Sequence, residues 1–237
     1  MINATLGLLL KMQSMLDSLS ERLRHSTAQS LRLWTSRQFV ITAIVSLLIL
    51  YVSTLINTIA GITATQNAGA PTTDIILSNI GRIDTSFIHG PLTEYIRDVT
   101  LVLLFVSPRY LPFGMKTIAL FTVVRAAFVN MTHIGIYPDA IPVQSLATFG
   151  GDLFFSGHVG ASIIAALIFW DNIPLRYAYI VVAIVLGASA LLGHYHYTVD
   201  VFSAPFIAYG IFVISKKLFR RDYLLLKEGT YPQHSHP

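Results

Sequence analysis

Long apolar runs separated by short polar breaks make up most of the chain between residues 39 and 216. A helix needs roughly 20 apolar residues to cross a bilayer. On that measure the pattern predicts six spans, at about 39–61, 91–107, 117–134, 157–171, 177–194 and 200–216. The second is the least regular, because Glu94, Arg97 and Asp98 occupy its first turns. Residues 1–36 mix Leu and Met with Lys11, Arg22, Arg24 and Arg32, which predicts an amphipathic helix lying on the cytoplasmic surface. A poorly ordered tail is the alternative. The apolar patch from Leu6 to Leu10 is too short for a signal peptide, and no cleavage site follows it. The expected fold is therefore all-α: a polytopic integral membrane protein with a six-transmembrane-helix bundle. Its segments are an interfacial amphipathic stretch over 1–36, a six-span domain over 37–220 and a cytoplasmic tail over 221–237.

One loop breaks the rhythm of short connections. From about 62 to 90 the chain is rich in Thr, Asn, Gly and Ala. Thr73 or Asp74 is placed to cap a short helix running to about Asn79 on the exoplasmic surface, against a plain connecting loop. The tail from Glu228 reads as disordered, and its His234 and His236 are a weak metal signal.

Composition supports the membrane class. Hydrophobic residues make up 54% and charged residues 12%, against roughly 25% charged in soluble domains. Mean hydropathy is +0.63. The net charge of +4 does not describe a nucleic-acid binder, because the basic residues sit beside apolar runs and form no stripe. They precede the first span and recur at Arg109, Lys116, Arg176, Lys216, Lys217, Arg220, Arg221 and Lys227, all on one side of a six-span count. The positive-inside rule then places both termini in the cytoplasm. The chain has no cysteine, which excludes disulfides and a thiol nucleophile. Its short length points to a bacterial cytoplasmic membrane, in a multi-pass protein; a homo-oligomer remains open.

Two segments carry candidate chemistry. The first runs from Phe149 through Asp152, Ser156 and Gly157 to His158; the second runs from Gly193 through His194, Tyr195, His196, Tyr197 and Thr198 to Asp200. Between His158 and His196 lie apolar stretch, polar break and apolar stretch, which fits one crossing and one return. Both histidines should share one depth and one membrane face, opposite the basic loops and so exoplasmic or periplasmic. His196 and Asp200 are four apart, which puts them on one face of a helix. Two facing histidines with a carboxylate behind one of them suit phosphoryl transfer or hydrolysis. Ser156 and Gly157 open the fourth span, where free backbone N–H groups and the helix dipole favour a phosphate. Arg125 lies within an apolar span, where a charge is costly and functional by default. It is expected to contact a headgroup or phosphate, with Asp139 or Asp98 as structural alternatives. Tyr195 reads as a member of the interfacial aromatic belt.

These residues carry a resemblance. G-D-x-x-x-S-G-H over Gly151–His158 and H-Y-T-x-D-V over His196–Val201 resemble the sphingomyelin synthase-like branch of the type 2 phosphatidic acid phosphatase (PAP2) superfamily, across residues 39–216. The resemblance implies a membrane phosphotransferase without metal or cofactor. His196 would be the nucleophile forming a phosphohistidine, Asp200 its partner, and His158 the general acid and then base. It also implies a site aspartate at Asp152, a headgroup arginine at Arg125 and a lining role for Tyr197. Asp152 would orient His158 or bond the acceptor hydroxyl, with a helix cap as the rival. The implied partners are a membrane phospholipid donor and a lipid hydroxyl acceptor such as ceramide or diacylglycerol. The ordinary PAP2 phosphatase pattern is incomplete: Ser189 matches its third segment, but Ala190 replaces the arginine and Phe155 the proline before Ser156. That favours a phosphodiester over phosphatidic acid, with a lipid phosphatase or phospholipase C-like hydrolase as the alternative. A metal hydrolase using His158, His196 and Asp200, and a non-catalytic protein, complete the field.

Overall fold

The computed structural model describes residues 30–141 and 151–231. Most of the expected amphipathic segment, Gly150 and the two tail histidines lie outside the described residues. Within them the secondary structure is helical, with no strand. The helices are α1 (Arg37–Gln66), α2 (Ser86–Val106), α3 (Leu111–Met131), α4 (Gly157–Ile168), α5 (Ile173–Leu192), α6 (Thr198–Leu218) and α7 (Arg220–Glu228). By length and composition, α1, α5, α6 and α3 with its preceding turn can each cross a membrane. The chain is a multi-pass helical membrane bundle.

The outside of the bundle is apolar because lipid is its solvent. Ile59, Phe206 and Ile184 are exposed, as are most large residues of α1. The inward face of α1 is small instead: Ala43, Ser46, Ser53, Ala60, Gly61 and Ala64 are buried. Small side chains let helices approach closely, which is how membrane helices gain packing without a hydrophobic drive. Against this face lies α3, its most extensive neighbour. The buried hydroxyls of Ser46 and Ser53 donate to carbonyls within α1, at 2.6 and 2.7 Å, so neither is left unpaired in the interface.

Two helices depart from the predicted spans. α2 begins at Ser86, earlier than the expected 91, after the cap-forming run Asp84-Thr85-Ser86; Asp84 accepts from the Ser86 N–H at 2.9 Å. The extra turn carries His89. α4 has 12 residues and so spans only about 18 Å, short of a hydrocarbon core of roughly 30 Å. The missing depth is supplied by the irregular segment before it, where Leu153, Phe155 and Ser156 are buried. Non-helical backbone is tolerated at such depth only when protein surrounds it.

The two ends of the bundle differ in chemistry. One gathers the starts of α1, α3 and α5 and the end of α6. There Lys116 pairs with Asp222 at 2.6 Å and Lys227 with Asp171 at 2.6 Å. α7, which covers the start of the expected 221–237 tail, buries Leu225 and Leu226 and ends on Gly229 in the left-handed conformation. The opposite end gathers the loops after α1, α3 and α5: Gly69 N–H donates to His133 at 2.9 Å, Ile83 N–H to Leu192 at 2.8 Å and Ile141 N–H to Gly193 at 3.2 Å. Both candidate segments lie at this second end.

The side chains of Lys116 and Asp222 are 14% and 6% exposed, so each charge is largely withdrawn from water and relies on the other. Lys116→Met should cost about 3–5 kcal/mol by stranding Asp222. Lys116→Met with Asp222→Leu should recover most of that loss. Thermal unfolding midpoints in detergent micelles check both.

Candidate active site

Arg125 organises the site from below. Its Nε donates to the Phe155 carbonyl at 3.1 Å, one terminal nitrogen to the Asp152 carboxylate at 3.0 Å, and the other to the Asp152 carbonyl at 2.7 Å. Asn57 of α1 lies 3.5 Å away. The guanidinium thus satisfies the carbonyls of the irregular segment, and Asp152 neutralises its charge. Neither expected structural alternative is its partner: Asp98 pairs with Arg97 and Asp139 with His194. Asp152 caps no helix and makes no bond to His158; Arg125 claims it. Gly157 lies directly over Arg125, where an added Cβ would come within 2.7 Å of Nε.

Above this anchor α4 begins. The expected donor at Ser156 is already used, since its N–H donates to the Asp200 carbonyl at 3.0 Å. No side chain caps α4. The N–H groups of Gly157, His158 and Val159 therefore have no partner among the described residues, as at any uncapped helix start.

The second segment is a turn rather than a helix. His194 has φ 56°, a left-handed conformation that histidine tolerates better than most residues; its Nδ1 meets Asp139 at 2.8 Å. α6 starts only at Thr198, so His196 lies outside it. The capping box of α6 brings His196 and Asp200 together: Tyr197 N–H donates to Asp200 at 2.9 Å. His196 Nδ1 is 3.5 Å from the Asp200 carboxylate. That Nδ1, the other Asp200 oxygen and Ser156 Oγ are buried without hydrogen-bond partners. The rings of His158 and His196 lie 6.3 Å apart.

Asp74 holds the start of α6 in place. It caps the turn Leu77–Asn79, accepting from Ile76 and Leu77 N–H at 2.9 and 3.1 Å, and also receives Thr198 N–H and Oγ at 2.6 and 2.8 Å. Burial pushes its carboxyl up, but these donors, the Thr198 N–H foremost, outweigh burial and hold it below the usual range. Tyr197 is likewise spent on structure: its buried hydroxyl donates to Gly135 at 2.8 Å and accepts Thr72 N–H at 3.1 Å. Tyr195, half-buried, packs on His89 with ring centres 4.8 Å apart.

Sequence reasoning passed over His89. Its Nε2 is 3.2 Å from His158 Nδ1, and its Nδ1 is 2.7 Å from Ser189 Oγ. The available signal was the cap run at 84–86, which starts α2 a turn earlier and brings His89 into the bundle.

The fold defines a multi-pass membrane protein with two histidines and a carboxylate gathered at one end. Residues 150–217 match the family described as PAP2 superfamily C-terminal, a stretch holding His158, His196 and Asp200 but not Arg125, Asp74 or His89. The match supports a lipid enzyme of the phosphatase or phosphotransferase type. No curated protein and no solved structure matches the chain. Among the described residues no group of three or more His, Cys, Asp or Glu is arranged to hold a metal.

Two variants probe the supports. Asp74→Ala should destabilise by about 1–2 kcal/mol, as cap losses do, and lower turnover by loosening the start of α6. Because the folded carboxyl titrates below its unfolded value of about 3.9, its contribution is present above that pH and lost as pH falls through the folded value. Acid unfolding of Asp74→Asn should therefore begin from lower stability and fall less steeply. Gly157→Ala should displace Arg125 and lower activity more than stability; parallel turnover and melting measurements separate the two.

Proposed function

We propose that the protein moves the phosphoryl headgroup of a membrane phosphodiester lipid onto a lipid hydroxyl, such as that of ceramide or diacylglycerol, through a phosphohistidine on His196. The observation that carries this reading is the pairing of His158 and His196 rings at 6.3 Å, with Asp200 behind His196 Nδ1 at 3.5 Å. With Nδ1 turned to Asp200, Nε2 is the nitrogen left to attack phosphorus. As the N–P bond forms, the P–O bond to the diacylglycerol oxygen breaks and His158 protonates that oxygen. His158 then takes the proton of the acceptor hydroxyl, whose oxygen attacks phosphorus and releases His196. Asp200, 3.5 Å from Nδ1, steadies the imidazolium, and catalytic hydrogen bonds of this kind tighten in the substrate complex. The unpartnered N–H groups of Gly157, His158 and Val159 supply donors for the phosphoryl oxygens.

The electrostatics support a diester. Asp152 compensates Arg125, so the site offers no free guanidinium to a phosphomonoester dianion. A phosphodiester carries one charge and needs less. The clustering of Lys116, Arg176, Arg221 and Lys227 at the other end supports an exoplasmic site with cytoplasmic termini.

A headgroup-phosphate-labelled phospholipid should leave acid-labile, base-stable label on the wild type. His196→Ala should lose label and turnover together. His158→Ala should accept label but release it slowly, with turnover down roughly 10²–10⁴-fold. Label surviving in His196→Ala would overturn the assignment. With ceramide present, a headgroup-bearing sphingolipid supports transfer, whereas free phosphorylated headgroup makes the protein a hydrolase. For orientation, a cysteine at Ala140 should react with an impermeant thiol reagent on intact cells and one at Asn172 should not.

A further inference from the structure

His89 takes part in none of these steps, yet it is 2% exposed and holds the one ring nitrogen of His158 that does not serve the site. We propose that His89, braced by Ser189, is a positioning residue that locks His158 as its Nδ1–H tautomer and so keeps Nε2 as the nitrogen that moves protons. The proposal deepens the acid–base role given to His158 and rests on it.

The argument follows the protons. Ser189 Oγ has one hydrogen, and the Leu186 carbonyl lies 2.9 Å away to receive it. Oγ is then an acceptor for His89 Nδ1–H at 2.7 Å. With its hydrogen on Nδ1, neutral His89 presents a bare Nε2, which accepts Nδ1–H from His158 at 3.2 Å. The two rings meet edge to face at 83°, with centres 5.0 Å apart. Thr85 Oγ fastens the Ser189 carbonyl at 2.8 Å, so the brace itself is held.

The reverse arrangement cannot work. If Ser189 gave its hydrogen to His89, His89 would donate through Nε2 and His158 would carry its proton on Nε2. Releasing that proton to a leaving group would strand His158 as an imidazolate, because His89 could replace it only by becoming anionic itself. In the proposed arrangement His158 alternates between imidazolium and neutral Nδ1–H imidazole, and its bond to His89 stays intact throughout. A neutral acceptor here also leaves Asp200 as the carboxylate dedicated to His196. It avoids a second buried negative charge beside an incoming phosphoryl group.

The test reads the tautomer directly, by 15N NMR of [15N]histidine-labelled protein in detergent micelles, with His158 assigned through His158→Gln. Free neutral imidazole favours the Nε2–H form. In the wild type His158 should instead be Nδ1–H. Ser189→Ala touches no atom of His158, yet it removes the acceptor for His89 Nδ1–H; His89 should switch to Nε2–H and turn His158 to Nε2–H with it. His89→Gln, whose amide oxygen can accept, should keep His158 as Nδ1–H, whereas His89→Leu should not. With dioleoyl phosphatidylcholine, His89→Leu should lower kcat about 10–10²-fold with little change in KM. With p-nitrophenyl phosphorylcholine, whose leaving group needs no proton, the loss should be smaller. An Nε2–H His158 in the wild type, or one unmoved by Ser189→Ala, overturns the proposal, as does an equal loss on both esters. The tautomer readings need no turnover. Failure of the phosphohistidine reading shows separately, as label retained by His196→Ala.

Discussion

A guanidinium within the bilayer has to find partners, and the bonds of Arg125 are the constraint on which the rest of this structure depends. A charge at mid-membrane costs about 2.5–3.5 kcal/mol on insertion scales, and an irregular backbone at that depth is costly in its own right. Here each problem removes the other. The Phe155 and Asp152 carbonyls accept from Arg125, and the Asp152 carboxylate cancels its charge. That allows α4 to be short and to begin inside the bundle, with His158 in its first turn.

The other half of the site is held by loop chemistry in place of helix geometry. Asp74 closes two N-termini at once, and the Tyr197 hydroxyl ties the loops at Thr72 and Gly135 together. His196 sits between these fasteners on a turn, as the starting edge of α6 sets it. Carried on a turn, the proposed nucleophile can close the 3.5 Å separation from Asp200 by small rotations that a residue inside a helix would resist.

The helical membrane bundle was legible in the sequence because lipid demands continuous apolar faces, though among the described residues only four helices are long and apolar enough to cross; the nearness of His158 and His196 was legible because a crossing and a return have a set length. Helix starts were less so: α2 hides its first turn before Pro91, and His89 with it. The partner of Arg125 could not be read, because Asp152 reaches it through a segment with no period of its own. The double service of Asp74 was hidden for the same reason: Thr198 lies 124 positions away, and nothing local marks the contact.

The order of the partners along the chain has a consequence for biogenesis. Arg125 is synthesised before Asp152, which follows 27 residues later, so α3 reaches the bilayer with its charge uncompensated. Among the described residues, Asn57 of α1 is the one polar partner of the guanidinium that precedes it. The small-residue seam between α1 and α3 is therefore the natural holding place for that charge during insertion. Packing of α3 on α1, with α2 between them in the chain, would shelter the charge until α4 and its preceding segment complete its set of partners.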